Sequence, residues 1–109
     1  MANGKEMSVA ALQEMAEHVA SRLSLVSNAK RLLILCELVG GEKSVGMLQS
    51  AVGLSQSALS QHLAKLREAG MVSTRREGQT IYYSITDPDL DVLMTALYDA
   101  FCRDAGPVA

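Results

Sequence analysis

Apolar residues recur at helical spacing along most of the chain, with glycine, serine or asparagine between the periodic segments. This pattern predicts helices over 8–25, 28–39, 44–52 and 87–101. The middle of the second segment is apolar nearly all round, so we expect it to be a buried central helix. Residues suited to the N-terminal cap begin these segments, namely Ser8, Asn28, Ser44 and Asp87, the last followed by Pro88.

A further segment, 54–67, has one apolar side and one uncharged polar side. Leu59, Leu63 and Leu66 fall at spacings of four and three residues, so a helix aligns them in one stripe. The other side carries small hydroxyls and amides without charge, which suit a helix that enters a DNA groove and meets base edges. Alone, the segment fits a polar surface helix with a serine cap equally well. The uncharged side holds Gln56, Ser57, Ser60, Gln61 and Ala64.

A hairpin is predicted after this helix. Gly70 suits the left-handed position that ends a helix, and two β-rich runs over 71–85 then flank a charged tip at Gly78. A polar-faced helix followed by a hairpin with Arg75 and Arg76 near its tip is typical of a winged helix-turn-helix. A plain two-stranded ribbon with solvated charges is the alternative for the hairpin alone. The predicted fold is mainly α with a small β-hairpin wing, in one domain over 1–109 whose ends, 1–7 and 104–109, are disordered.

The first and last helices carry more apolar surface than one small domain readily covers. We therefore expect a homodimer formed through these two helices, which presents two recognition helices to an inverted repeat in double-stranded DNA. A monomer that covers both stripes with its own core is the alternative. The stripes consist of Leu12, Met15, Ala16, Val19 and Leu23 in the first helix, and Leu90, Leu93, Met94, Leu97 and Phe101 in the last.

Composition and charge are consistent with such a protein. Hydrophobic residues make up 49% and charged residues 20% of the 109 residues, as in a folded domain. No apolar run approaches the ~18 residues that span a bilayer, and the N-terminus resembles no signal peptide, so we expect a cytoplasmic protein without membrane contact. The net charge is −2, but 28–85 holds seven basic and four acidic residues, whereas 86–109 holds five Asp and one Arg. Positive charge thus gathers where phosphates would be met, which predicts salt-dependent binding.

Two motifs carry a family resemblance. The runs LSQSALSQHLAKLR and RREGQTIYYS, within a stretch covering about half the chain, resemble the ArsR/SmtB family of bacterial winged-helix repressors. The resemblance implies a homodimeric repressor that leaves its operator when an inducer binds. It also implies base contacts by Gln56, Ser57, Ser60 and Gln61, with Lys65 on the same helix and Arg75, Arg76, Gln79 and Thr80 in the wing. His62 lies on the side of the leucine stripe, so we interpret it as a packing or phosphate-contacting residue.

The resemblance does not extend to the metal sensors of the family, so no metal ion is expected as the inducer. Metal sensors of the family carry a Cys-x-Cys motif on the third helix or Asp and His ligands on the last. Here 44–50 contains no thiol, and the last helix offers Asp89, Asp91 and Asp99 but no histidine. No metal or other cofactor is therefore predicted, although a cysteine-based site shared across a dimer remains an alternative.

Two cysteines, Cys36 and Cys102, are the remaining candidates for chemistry. Buried packing is the simplest interpretation, and inside a cell only a transient disulfide is favoured. The resemblance, however, extends to a branch of the family with one thiol on the second helix and one on the last. In that branch persulfides or other oxidants join the thiols by a disulfide or polysulfide and DNA is released, which implies redox sensing by this pair.

Three alternatives stay open. Other members of the family share the reading motif and use no thiol pair. A thiol enzyme is a different class, but the chain has no Cys-x-x-Cys motif, no His or Lys next to either cysteine and no glycine-rich phosphate loop, so no catalytic residue is predicted. A winged-helix module that binds proteins predicts no salt-dependent DNA binding.

Overall fold

The computed structural model describes residues 8–102, which form five helices and three strands. The predicted mainly α fold with a β wing is confirmed, and each predicted helix is present to within about two residues at either end. The expected disordered ends, 1–7 and 104–109, lie outside the described residues. The elements are α1 (Val9–Val26), α2 (Ala29–Val39), β1 (Lys43–Ser44), α3 (Val45–Val52), α4 (Gln56–Glu68), β2 (Val72–Glu77), β3 (Thr80–Ile85) and α5 (Pro88–Cys102).

The predicted capping residues occupy the helix starts. Asn28 Oδ1 accepts hydrogen bonds from the backbone amides of Lys30 and Arg31, each at 3.0 Å. Ser8 and Ser44 accept one amide each, at 3.2 and 3.1 Å, and Asp87 Oδ1 accepts the Asp89 amide at 3.0 Å. Each cap satisfies an amide that the helix leaves unpaired, and such a cap typically contributes about 1 kcal/mol.

The end of α4 turns the chain into the wing. Gly70 adopts a φ of 74°, in the left-handed region, and its amide donates to the Arg67 carbonyl at 3.0 Å. The next amide, that of Met71, donates to the Leu66 carbonyl at 3.0 Å. These two bonds form the Schellman motif, which satisfies the last carbonyls of the helix and fixes the direction of β2.

The sheet contains a strand that the sequence did not indicate. β1 pairs with β3, so the sheet has three antiparallel strands in the order β1-β3-β2 where a two-stranded hairpin was predicted. In the β2–β3 register Val72 lies opposite Ile85 and Arg75 opposite Tyr82. Val72, Tyr83 and Ile85 belong to one face and pack in the core. The alternate positions, Arg75 and Tyr82 among them, therefore lie on the outer face.

The core lies between α2, α3, α4, α5 and the inner face of the sheet. The leucine stripe of α4 is buried as predicted, with Leu59, Leu63 and Leu66 at most 1% exposed. The buried apolar residues are Val26, Ile34, Leu35, Leu38, Leu48, Val52, Leu59, Leu63, Leu66, Met71, Val72, Leu90 and Met94.

The expectation that α2 is buried on all sides is wrong. Ile34, Leu35 and Leu38 are buried, but Leu33 is 47% exposed and Cys36 is also exposed. Apolar residues surround the helix, yet elements of the same chain cover only one side of it. Periodicity reports which residues avoid water and does not report which neighbour covers them.

The apolar stripe of α1 remains largely uncovered, whereas most of the predicted α5 stripe is covered by the chain itself, since Leu90 and Met94 are buried and Leu93 and Leu97 pack against the core. Leu12, Met15 and Leu23 of α1 are all about half exposed, and Phe101 near the end of α5 is 82% exposed. A groove of about 550 Å³ lies between α1 and the start of α5, and its lining is almost entirely apolar. Within residues 8–102, no helix has both the length and the apolar character that a membrane crossing requires.

Candidate nucleic-acid interface and thiol pair

The polar side of α4 is open to solvent. Gln56, Ser57, Ser60 and Gln61 are all exposed, because the opposite stripe of leucines anchors the helix in the core. Ser55 caps the helix by accepting the Ala58 amide at 3.2 Å. Within the described chain no hydrogen bond engages the side chains of Gln56, Ser60 or Gln61, so their donors and acceptors are available to a ligand. Lys65, the other residue of this helix that was predicted to bind DNA, is exposed as well.

A groove separates this helix from the wing. It has a volume of about 580 Å³, and Gln56 and Ser60 line it from α4 while Ile81 and Tyr83 line it from β3. Ser57 and Gln61 lie further round the helix, away from the buried leucines. The predicted base-contacting residues thus form one continuous surface that begins at the groove.

The wing tip is a two-residue turn at Gly78 and Gln79, since Glu77 pairs with Thr80 across it. Gln79, Thr80 and Arg76 are exposed there, as a backbone-contacting role requires. Within residues 8–102 no carboxylate lies within ion-pair distance of Arg76.

Arg75 differs from its neighbour, because two carboxylates hold it. Its Nε and Nη2 donate to the two oxygens of Glu42 at 3.2 and 2.6 Å, and its Nη1 donates to Glu77 at 3.0 Å. The guanidinium also lies 4.6 Å from the centre of the Tyr82 ring. The hydrogen bond from Arg75 lowers the pKa of Glu42, and the carboxylates raise that of Arg75.

His62 is half-buried and connects α4 to α2. Arg31 Nη1 lies 3.3 Å from its Nδ1, and because a guanidinium only donates, Nδ1 accepts and Nε2 carries the proton. Burial lowers the pKa of His62, and the positive charges of Arg31 and Lys65 lower it further. The imidazole is therefore neutral near pH 7, packed against α2 on one side and able to donate one hydrogen bond on the other.

The two thiols lie at the contact between α2 and α5, and both are free. A cavity of about 230 Å³ lies between α2 and α5. Its walls are Cys36 and Val39 of α2 with the following Gly40, and Met94 and Tyr98 of α5. Within one copy Cys36 is exposed, so the described residues do not bury it as the packing interpretation expects.

Cys102 continues the row of α5 side chains that lines this cavity. Met94, Tyr98 and Cys102 are spaced by four residues, so they lie above one another on one helix face. Partial burial raises the pKa of the Cys36 thiol, and the charges of Cys102 and Glu37 raise it further.

Three charged residues of structural importance were not predicted. They are Arg31, Glu42 and Arg22, whose partners lie 31, 33 and 65 residues away in sequence. Arg22 Nε donates to Asp87 Oδ2 at 2.7 Å, its Nη2 binds the same oxygen, and its Nη1 donates to the Ala69 carbonyl at 3.2 Å. Nothing local in the sequence distinguishes these residues from solvated charges.

Metal ligands are not grouped in this part of the molecule. Among residues 8–102, no three His, Cys, Asp or Glu side chains come together as a metal ion would need. Asp89 and Asp91 lie in the first turn of α5, where their charge favours the helix N-terminus.

Comparisons with known proteins agree with this architecture. The family described as "Bacterial regulatory protein, arsR family" matches residues 28–74. Nodulation protein NolR of Rhizobium meliloti is 53% identical over 95 residues, which cover 87% of this chain and 78% of that protein. The crystal structure of the transcriptional repressor BigR from Xylella fastidiosa has a TM-score of 0.84 at 42% identity and covers 88% of this chain and 98% of its own.

A solution structure adds a statement about assembly. The homodimeric winged helix-turn-helix DNA-binding domain Mb0332 from Mycobacterium bovis has a TM-score of 0.67 at 30% identity, over 91% of this chain and 89% of that one. The family, the BigR repressor and the Mb0332 domain are described as a regulator, a repressor and a DNA-binding domain, which favours a regulator over the thiol-enzyme alternative.

Proposed function

This chain belongs to the ArsR family of bacterial regulatory proteins, and we propose that it is a homodimeric repressor that releases DNA when Cys36 and Cys102 are joined. The wider statement, a transcriptional regulator with a DNA-binding fold, follows from the family itself. The proposal adds the operator contacts, the dimer interface and the signal.

The DNA interface that we propose combines α4 and the wing. Gln56, Ser57, Ser60 and Gln61 meet base edges in the major groove, where uncharged donors and acceptors discriminate between bases. Their exposure supports this role, and within residues 8–102 the side chains of Gln56, Ser60 and Gln61 make no internal hydrogen bond. Charged or tip residues contact the backbone and set the position of the helix. These backbone contacts are Lys65, Arg76, Gln79 and Thr80, with a neutral hydrogen bond from His62.

Dimerisation covers the uncovered apolar faces. Leu12, Met15 and Leu23 of α1 are about half exposed along a groove of about 550 Å³, and contiguous apolar surface of this kind marks an interaction site. Phe101 near the end of α5 is also exposed. A two-fold axis through these helices places two α4 helices side by side, so the operator is an inverted repeat.

The row formed by Met94, Tyr98 and Cys102 across the cavity from Cys36 is the observation that carries the thiol proposal. A thiolate of the pair attacks the outer sulfur of a persulfide, takes that sulfur, and releases the donor as a thiolate. The second thiolate then attacks the cysteine sulfur of the new persulfide and expels hydrosulfide, leaving a disulfide. When both cysteines first take up sulfur, the same loss of hydrosulfide leaves a trisulfide.

The bridge acts on DNA binding through α2 and α5. It links α5, half of the proposed dimer interface, to α2, which in turn contacts the DNA-binding helix α4. Lys30 Nζ donates to the Val52 carbonyl at the end of α3, and Arg31 contacts His62 on α4. A shift of α5 against α2 therefore changes the separation of the two α4 helices in the dimer.

A second candidate is a regulator of the same family whose cysteines have no sensing role. The raised pKa of Cys36 favours it, because a thiol that is mostly protonated near neutral pH reacts slowly. In this case another inducer acts and the α2–α5 contact stays fixed.

Operator binding before and after persulfide treatment tests the proposal. A labelled duplex of roughly 30 base pairs, selected from a random library by the protein itself, spans two half-sites. Fluorescence anisotropy is measured with reduced protein and after glutathione persulfide, and intact mass is read on the same samples. We expect loss of binding together with a bridged mass.

The matched control replaces Cys36 and Cys102 by serine together, and this variant should bind the duplex and ignore persulfide. Unchanged binding by a fully bridged wild-type protein would contradict the thiol proposal and leave the DNA-binding function intact. Failure of the selection to enrich any duplex would contradict the proposed interface itself.

A further inference from the structure

Arg75 lies across the outer face of the three-stranded sheet. It starts on β2, passes over the Tyr82 ring of β3 at 4.6 Å and reaches Glu42, which directly precedes β1. The Glu42 contact is bidentate, with both carboxylate oxygens engaged, which is the strongest geometry an arginine makes with a carboxylate. One side chain therefore connects all three strands.

The strand register places Arg75 on the face that does not meet α4. Ile81 and Tyr83 line the groove beside the recognition helix, and Arg76 lies opposite Ile81 on that same face. Side chains alternate along a strand, so Arg75 lies on the reverse side. The carboxylates of Glu42 and Glu77 already accept hydrogen bonds from its three guanidinium nitrogens.

We infer that Arg75 is a positioning residue that holds the wing at a fixed angle for DNA binding, and that the phosphate contact of the wing belongs to Arg76. The inference rests on the proposed DNA interface and assigns Arg75 a role different from the one that the sequence suggested. β1 pairs with β3 through only two residues, Lys43 and Ser44, so few backbone hydrogen bonds join it to the wing, whose base packs in the core through Val72, Tyr83 and Ile85. The arginine strengthens this connection before DNA is bound, which lowers the cost of ordering the wing.

The salt dependence of binding separates the two roles. A phosphate contact contributes about one unit to the slope of log affinity against log salt, whereas a residue that only positions the wing contributes none. Using the selected duplex, we expect Arg76→Gln to reduce the slope by about one unit. Arg75→Gln should weaken binding about three- to tenfold with an unchanged slope. A slope reduced equally by both variants would overturn the inference.

The sign of the Glu42→Gln effect is a second test. If Arg75 contacts phosphate, removing its carboxylate partner frees it and binding becomes tighter. If Arg75 positions the wing, Glu42→Gln weakens binding as Arg75→Gln does, and the double variant is no weaker than either single one. Glu77→Gln is the matched control, since it removes the same charge near the wing and leaves the Glu42 contact in place. Binding by this control should be unchanged or slightly tighter.

Arg75→Lys keeps the charge and loses the bidentate and stacked geometry. We expect it to behave like Arg75→Gln, and full rescue by lysine would overturn the inference. Circular dichroism and urea unfolding are measured on each variant to establish that it is folded. Weaker DNA binding by a folded variant then reports the loss of the contact and not the loss of the fold. If Arg76→Gln also leaves the slope unchanged while wild-type protein binds, the proposed wing contact fails and the role of Arg75 is judged from the Glu42→Gln sign alone.

Discussion

At the scale of single residues, the surroundings of a side chain decide its chemistry. Cys36 is exposed, yet partial burial and two nearby anionic groups raise its pKa above the ordinary value of 9.0. The thiolate is the reactive form, so the reaction of Cys36 with any electrophile is slow at neutral pH and accelerates as pH rises.

Alkylation by iodoacetamide measures this effect. Followed by mass spectrometry of the Cys36 peptide, the rate should increase about tenfold per pH unit through pH 9. In the Cys102→Ser variant the pKa of Cys36 falls, because one of the charges that raises it is gone. An identical pH profile in both proteins would mean that the two sulfur atoms are not neighbours.

Contacts between residues far apart in the chain could not be predicted from the sequence. The uncharged face of α4 and the two arginines of the hairpin were identified from their pattern, which is a local property, whereas Gln79 and Thr80 were assigned through the family resemblance. The bonds of Arg31 to His62 and of Arg75 to Glu42 join residues more than thirty positions apart. Only the fold brings them together, so the sequence suggested a DNA contact for Arg75 and left His62 between two roles.

At the scale of elements, local signals were sufficient for the helices but not for β1. Caps, glycines and apolar periodicity act within a few residues, and they located all five helices. β1 has only two residues, Lys43 and Ser44, and two residues cannot display an alternating pattern. Its pairing with β3 is a tertiary event.

The end of α4 gives a test at this scale. Gly70→Ala places a side chain at a φ of 74°, which should lower the free energy of unfolding by about 1 kcal/mol. Gly46→Ala is the matched control, since Gly46 lies inside α3 and a Cβ there would meet only Ser44 Oγ, at 4.0 Å. This control should raise stability by about 0.5 kcal/mol. Urea unfolding at one protein concentration measures both, and equal effects would contradict the left-handed cap.

A second test concerns the junction of α1, α4 and α5. Arg22 joins Asp87, the cap of α5, to the carbonyl of Ala69 at the end of α4, and both charged side chains are largely buried. Arg22→Met leaves a carboxylate without its partner, so the free energy of unfolding should fall by about 1–3 kcal/mol in urea titrations. Asp87→Asn, which keeps the cap, should cost less. An Arg22→Met protein as stable as the wild type would show that this junction contributes nothing.

The pH dependence of this junction has a definite sign. Burial acts to raise the pKa of Asp87, but the hydrogen bonds from Arg22 and two backbone amides outweigh it and the pKa lies below 3.8. A carboxyl group with a lowered pKa stabilises the fold above its ordinary pKa, and this stability is lost as pH falls through the folded value. The Arg22→Met protein should therefore lose less stability than the wild type between pH 5 and the acid transition.

At the scale of the whole molecule, one copy of the chain leaves part of its apolar surface uncovered. The polar surface of α4 and the core are formed within one copy, while apolar side chains of α1 and of one side of α2 remain exposed, as do Val92, Tyr98 and Phe101 of α5. The sequence indicated that α1 and α5 pair with a second copy, but it could not indicate that one side of α2 is open too.

Assembly can be tested on α1. Leu12→Glu places a charge at a half-exposed apolar position beside the groove, so we expect dissociation to monomers in sedimentation velocity runs at micromolar concentration. Met47→Glu is the matched control, because Met47 is equally exposed but lies on α3, and it should leave the dimer unchanged. A dimeric Leu12→Glu protein would place the interface elsewhere.

The cavity between Cys36 and α5 has a consequence for dose response. The proposed two-fold dimer would contain this cavity twice, so under the proposed thiol mechanism each dimer would exist in three chemical forms, with neither, one or both thiol pairs joined. If one bridge were enough to misalign the two α4 helices, joining half of the thiol pairs would already release DNA from most dimers. If both were needed, DNA release would rise as the square of the bridged fraction, and low doses would have little effect. The inducer dose at which the regulated genes respond would therefore depend on how many of the two thiol pairs must be joined.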